Sequence, residues 1–60
     1  MNRCYDQNGT LLGLGDAVMG VIGGRENEGV VAELLENNKI KMDGENGIIQ
    51  VSADDVFVLP

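Results

Sequence analysis

Few residues of this chain could carry out chemistry. Cys4 is its one thiol, and Arg3 is its one basic neighbour in sequence. No histidine is present, so neither a Ser-His nor a Cys-His nucleophilic pair can form. A single cysteine also excludes an internal disulfide and a multi-thiolate zinc site. Cys4 therefore reads as an ordinary structural thiol, half-buried or exposed.

Eight of the ten carboxylates come in three groups. Asp43-Gly44-Glu45-Asn46-Gly47 superficially looks like an acidic calcium loop. An EF-hand needs a glycine at its sixth position and a glutamate at its twelfth, and here those are Ile48 and Asp54. The segment reads instead as a hairpin turn using the backbone freedom of Asp-Gly and Asn-Gly. Asp54-Asp55 could act as a pair on a metal or a proton, yet acids at the start of a short helical turn favourably face its N-terminal amides. Glu26, Glu28, Glu33 and Glu36 could form a face of one sign that steers a basic partner, or simply a solvated surface. Gly13-x-Gly15 and Gly20 do not make a dinucleotide fingerprint, and the chain has no room for a βαβ unit. The residues imply no metal and no cofactor.

The elements that must position these groups are small. At 60 residues the chain forms a single domain, residues 1–60, burying only about 60% of its unfolded surface. Its 43% hydrophobic content suffices for a core and exceeds that of a disordered tail. Ten acids against four bases give a net charge of −6, which argues against free-standing nucleic-acid binding. Residues 1–6 contain no apolar signal-peptide region, and no apolar run approaches the roughly 20 residues of a membrane span. Without disulfides, a reducing cytoplasmic location is expected. The Met1 start and the Pro60 end, directly after an apolar run, suggest a complete short reading frame.

Nine glycines and six asparagines separate short apolar segments, the pattern of an all-β domain with tight turns. Turns are expected at Asp6–Gly9 and Gly13–Asp16, followed by a strand over Ala17–Ile22. That strand has Val18 and Ile22 on one face and Met19 and Val21 on the other. An outward Met19–Val21 patch would favour self-association. Gly23–Gly29 reads as a seven-residue polar loop. Val30–Leu35 and Lys39–Met42 then form a hairpin around Asn37-Asn38. Lys39 and Lys41 point outward as a weak basic stripe, with Ile40 and Met42 inward. Residues 28–38 also fit a helix, with Val30, Val31, Leu34 and Leu35 on one side. Gly29, the paired valines and the flanking strands' need for a neighbour favour the strand. Ile49-Gln50-Val51 alternates around an outward Gln50. Ser52 would cap a 3₁₀ turn over Ala53–Asp55, and Val56–Leu59 closes the domain.

Five short strands with a long first loop and a 3₁₀ turn before the last strand give an SH3-like five-stranded barrel as the expected fold. Gly15-Asp16-x-Val18, Gly29-Val30-Val31, Ile40, Val51 and Asp55-Val56 resemble the small SH3-like and KOW-type barrels over about residues 13–59. Asp6-x-Asn8-Gly9-x-x-Leu12-x-x-Gly15-Asp16-x-Val18 is similar to the start of the C-terminal barrel in phosphonate-operon-associated zinc-ribbon proteins, without their zinc-ribbon cysteines. Gly13-x-Gly15-Asp16-x-Val18, Gly29-x-Val31 and Ile49-Gln50-Val51 look like type II dihydrofolate reductases, tetramers whose pore a Val-Gln-Ile-Tyr segment lines. Here Ser52 replaces that tyrosine, and the family's phosphate-binding lysine falls at about Gly20. A −6 protomer would also repel NADPH.

The resulting expectation is a non-enzymatic module that binds a protein partner or itself. In SH3-like barrels the groove lies between the long first loop and the 3₁₀ turn, which here implies Arg25, Glu26 and Glu28 together with Gln50, Ser52, Asp54 and Asp55. With only Tyr5 and Phe57 as aromatics, a proline-rich ligand is disfavoured. The KOW resemblance implies an alternative nucleic-acid role for Arg3, Arg25, Lys39 and Lys41, and the reductase resemblance implies an enzymatic one.

Overall fold

The computed structural model of the chain describes residues 2–60. It is all β, with β1 at Ala17–Ile22, β2 at Arg25–Leu35, β3 at Lys39–Gly44, β4 at Gly47–Ser52 and β5 at Val56–Val58. Two 3₁₀ turns, Glu36–Asn38 and Ala53–Asp55, interrupt the strands. Every pairing is antiparallel, and the sheet order is β4-β3-β2-β1-β5. Among the described residues no helix is long and apolar enough to cross a membrane.

Residues 28–38 are strand and turn rather than helix. The two valines suit a pleated surface, and β2 is the central strand of the sheet, pairing with β1 and with β3. Its first half lies against β1 and its second half against β3, with a register shift between Val31 and Glu33 that leaves Ala32 as the extra residue. A bulge bends a strand and increases its twist, so this 11-residue strand turns from one neighbour to the other.

The expected seven-residue loop at Gly23–Gly29 is not there. β1 returns directly into β2 through Gly23-Gly24, whose φ angles of +61° and +78° suit a tight turn matched to strand twist. Arg25, Glu26, Asn27 and Glu28 pair with Ile22, Val21, Gly20 and Met19. Polar side chains made this segment look like a loop, but they alternate, Glu26 and Glu28 exposed and Asn27 half-buried. The β2–β3 connection is also longer than expected. It has three residues, Glu36–Asn38, because Leu35 pairs with Lys39, and both asparagines take positive φ. The β3–β4 turn is the two residues Glu45-Asn46 between the paired Gly44 and Gly47.

Inward positions supply the core. Val18, Val31, Ile40, Met42, Val51, Ala53 and Val56 are buried, with Leu12 and Cys4 added by the N-terminal segment. Lys39-Ile40-Lys41-Met42 alternates as its sequence implies, both apolar residues fully buried. Cys4 is deeper than expected. It is wholly enclosed, its Sγ 3.4 Å and 3.3 Å from the Leu35 and Lys39 carbonyl oxygens. Ser52 caps the second 3₁₀ turn, its Oγ accepting from the Asp54 N–H.

The N-terminal segment is fastened by Asp6, a buried carboxylate that sequence reading placed only as the start of a turn. Its Oδ1 accepts from the N–H groups of Asn8 and Thr10 at 2.9 Å and 2.8 Å. Its Oδ2 accepts from the Val58 N–H at 3.1 Å, joining the first turn to β5. Burial pushes the Asp6 carboxyl up. The backbone donors, Thr10 foremost, outweigh it and hold the pKa below the ordinary carboxylate value.

Candidate functional site

The extra length of β2 creates the site. β3 pairs with β2 only from Gly29 onward, so Arg25–Glu28 runs on past it beside β1. The β3–β4 turn comes back opposite this overhang. Between them lies a cavity of about 260 Å³. Its apolar lining is Met42, Ile49 and Met19, and its charged lining is Glu26, Glu28 and Glu45, with Asn27 and Asn46 between. Met42 is buried, Met19 and Ile49 half-buried, and all three glutamates exposed. No cation lines the space.

Among the described residues the one ion pair lies elsewhere, where Lys41 Nζ stands 3.6 Å from Glu33 Oε1. Among the described residues the three glutamates of the cavity therefore have no counter-ion within salt-bridge distance. Such a lining suits a group with an apolar stem and a cationic head, because the stem removes methionine and isoleucine surface from water while the head stays hydrated among carboxylates. Among the described residues no group of three or more Cys, Asp or Glu side chains is arranged to hold a metal ion.

The structure divides the residues expected to form one groove. Glu26 and Glu28 line the cavity, and Arg25 sits at the adjoining hairpin end. Gln50 and Ser52 lie on β4, and Asp54 and Asp55 in the second 3₁₀ turn; none of the four lines the cavity. Asp54 is engaged instead, accepting a 2.9 Å hydrogen bond from Asn38 Nδ2. The four glutamates expected on one face also separate. Glu33 is paired with Lys41 and Glu36 lies in the first 3₁₀ turn, while Glu45, from another segment, joins Glu26 and Glu28. Met19 is half-buried between Glu28 of β2 and Phe57 of β5, and Val21 is 64% exposed opposite Glu26. The position of the reductase-type lysine is closed to side chains. Gly20 is buried, and a Cβ there would run into the Asp55 carbonyl.

Glu45 was missed because only strand register brings it to Glu28. The register was partly visible in the Gly44–Gly47 turn, but the overhang of β2 depended on recognising Gly23-Gly24 as a complete hairpin.

No family model, curated protein or solved structure matches the chain.

Proposed function

We propose that this chain is a non-enzymatic interaction module that takes a lysine or arginine side chain of a basic protein partner into the cavity between the β1–β2 hairpin and the β3–β4 turn. The observation that carries this reading is the combination of Met19, Met42 and Ile49 with three uncompensated glutamates in one space. A net charge of −6 supports it, since the field of the whole protein draws a basic partner inward before contact. The lack of histidine and the burial of the only thiol support a binding rather than a catalytic role.

We read the fold beneath the site as an SH3-like barrel. Its support is the strand order, with β5 beside β1, and the 3₁₀ turn that delivers the chain into β5. The short Gly23-Gly24 connection departs from the long first loop of that family and moves the candidate site from the usual groove to the β2 overhang.

Calorimetric titration with a lysine- and arginine-rich peptide tests the function. Binding should weaken with added salt, and a Glu26→Gln, Glu28→Gln, Glu45→Gln triple variant should lose about tenfold in affinity, the sum of three modest exposed charge contacts. Equal binding of a sequence-matched neutral peptide, or undiminished binding by the triple variant, would overturn it.

A further inference from the structure

The two edges of the sheet are treated differently. The outer side of β5 is guarded: the Gln7 N–H donates to the Val56 carbonyl at 2.9 Å, and Asp6 Oδ2 accepts from the Val58 N–H. Among the described residues the backbone of β4 bonds only to β3, and alternate residues of an edge strand turn their N–H and C=O groups outward. Gly47-Ile48-Ile49-Gln50-Val51-Ser52 carries no charge and no proline, the devices that block a further strand. The charges lie at its ends. At the Gly47 end, Glu45 stands in the turn and exposed Asp43 beside Ile48. At the Ser52 end, exposed Asp54 and Asp55 follow directly. Of the two β3 lysines beside β4, Lys41 is paired with Glu33, which leaves Lys39 against these acids. The edge also runs into the acidic cavity, whose lining includes Gly47 and Ile49.

Building on the reading of the cavity as a lysine or arginine site, we infer that the β4 edge takes an extended basic segment of the partner as an added strand, one of whose cationic side chains enters the cavity past Gly47. Charge selects this occupant. A second copy of the chain would set acids against acids, because both ends of its own edge are acidic. A segment with lysine or arginine at each end instead meets Glu45 at one end and Asp54 and Asp55 at the other. β4 is six residues long, so at about 3.3 Å per residue these basic ends stand about 17 Å apart. Between them Ile48, 61% exposed, favours β-branched neighbours. An added strand lies about 4.8 Å from β4, which puts the cavity at Gly47 and Ile49 within reach of a lysine or arginine stem. Backbone hydrogen bonds thus supply the register, and the cavity supplies selectivity for the cation.

Calorimetric titration with a peptide carrying Lys-Arg at each end of a Thr-Val-Thr-Val centre, with amide hydrogen exchange at saturation, tests the inference. The peptide should bind, and alternate amides of β4 should gain protection. Two versions N-methylated at alternate residues, one in each frame, separate strand pairing from charge attraction. Only one frame faces β4, so one version should lose about tenfold in affinity and the other should bind like the parent. Asp54→Asn combined with Asp55→Asn, two acids outside the cavity, should weaken binding about fivefold. Circular dichroism confirms that this variant is folded. Frames that bind alike, β4 amides that stay unprotected, or a double variant that binds undiminished would overturn the strand pairing and leave the cavity reading in place. No binding of the parent peptide, or binding indifferent to the Glu26, Glu28 and Glu45 triple variant, would overturn both. Protection of β4 that rises with protein concentration alone would assign the edge to a second copy and overturn the inference.

Discussion

Asn38 holds the backbone of Tyr5 as a neighbouring strand would. The Tyr5 N–H donates to Asn38 Oδ1 at 2.7 Å, and Asn38 Nδ2 donates to the Tyr5 carbonyl at 3.1 Å. The same Nδ2 reaches Asp54 Oδ1, so one amide joins the N-terminal segment, the β2–β3 turn and the second 3₁₀ turn. Its own φ of 58° is a conformation asparagine tolerates better than most residues.

Replacing that amide separates its bonds from its backbone. Asn38→Gly keeps the positive φ without strain and removes the hydrogen bonds, so urea denaturation should show a loss of about 1–2 kcal/mol. Asn38→Asp should cost more, because a carboxylate would face both the Tyr5 carbonyl and Asp54.

Asp6 makes stability depend on acid. Its pKa is lower in the folded chain than in the unfolded one, so its contribution is present above the unfolded value and is lost as pH falls through the lower, folded one. Unfolding midpoints should therefore drop below about pH 4, near the ordinary carboxylate pKa. Asp6→Asn should be less stable at neutral pH by about 1–3 kcal/mol, since its amide cannot accept from the Val58 N–H when its oxygen serves Asn8 and Thr10. Its stability should also fall less steeply in that acidic range.

Two glycines are set by backbone approach. A Cβ at Gly29 would lie 2.6 Å from the Asp43 carbonyl oxygen, and one at Gly20 would meet the Asp55 carbonyl. Neither obstacle is a flexible side-chain end. Gly20→Ala and Gly29→Ala should each cost about 3 kcal/mol or more in thermal or urea unfolding, at the upper end of overpacking penalties.

The Lys41–Glu33 pair should be nearly silent. Its side chains are 44% and 55% exposed, and exposed pairs are worth little. Glu33→Gln should change stability by no more than about 0.5 kcal/mol in urea denaturation.

Local chemistry was the readable part of this sequence. Alternation at Lys39–Met42, the serine ahead of Ala53–Asp55 and a turn within Asp43–Gly47 are each written within six residues; the structure contains all three, with the turn narrowed to Glu45-Asn46 because Asp43 and Gly44 pair in β3. The failures involve partners far apart in the chain. Arg25–Glu28 reads as loop until β1 is seen pairing with it. The Asp6-x-Asn8-Gly9 pattern announces a turn whose carboxylate bonds its own backbone, but its bond to Val58 spans 52 residues. The candidate site was half legible for the same reason. Glu26 and Glu28 were identified, whereas Glu45, Met42 and Ile49 come to them only through the register of β3 and β4.

Residue-resolved NMR titration with the lysine- and arginine-rich peptide decides whether the cavity holds a cationic side chain. If it does, saturable shifts should concentrate at Glu26–Glu28, Met42, Glu45–Gly47 and Ile49, and should vanish in the triple glutamine variant. Shifts centred on Gln50–Asp55 or on Leu11–Leu14, or no shifts at low salt, would contradict it.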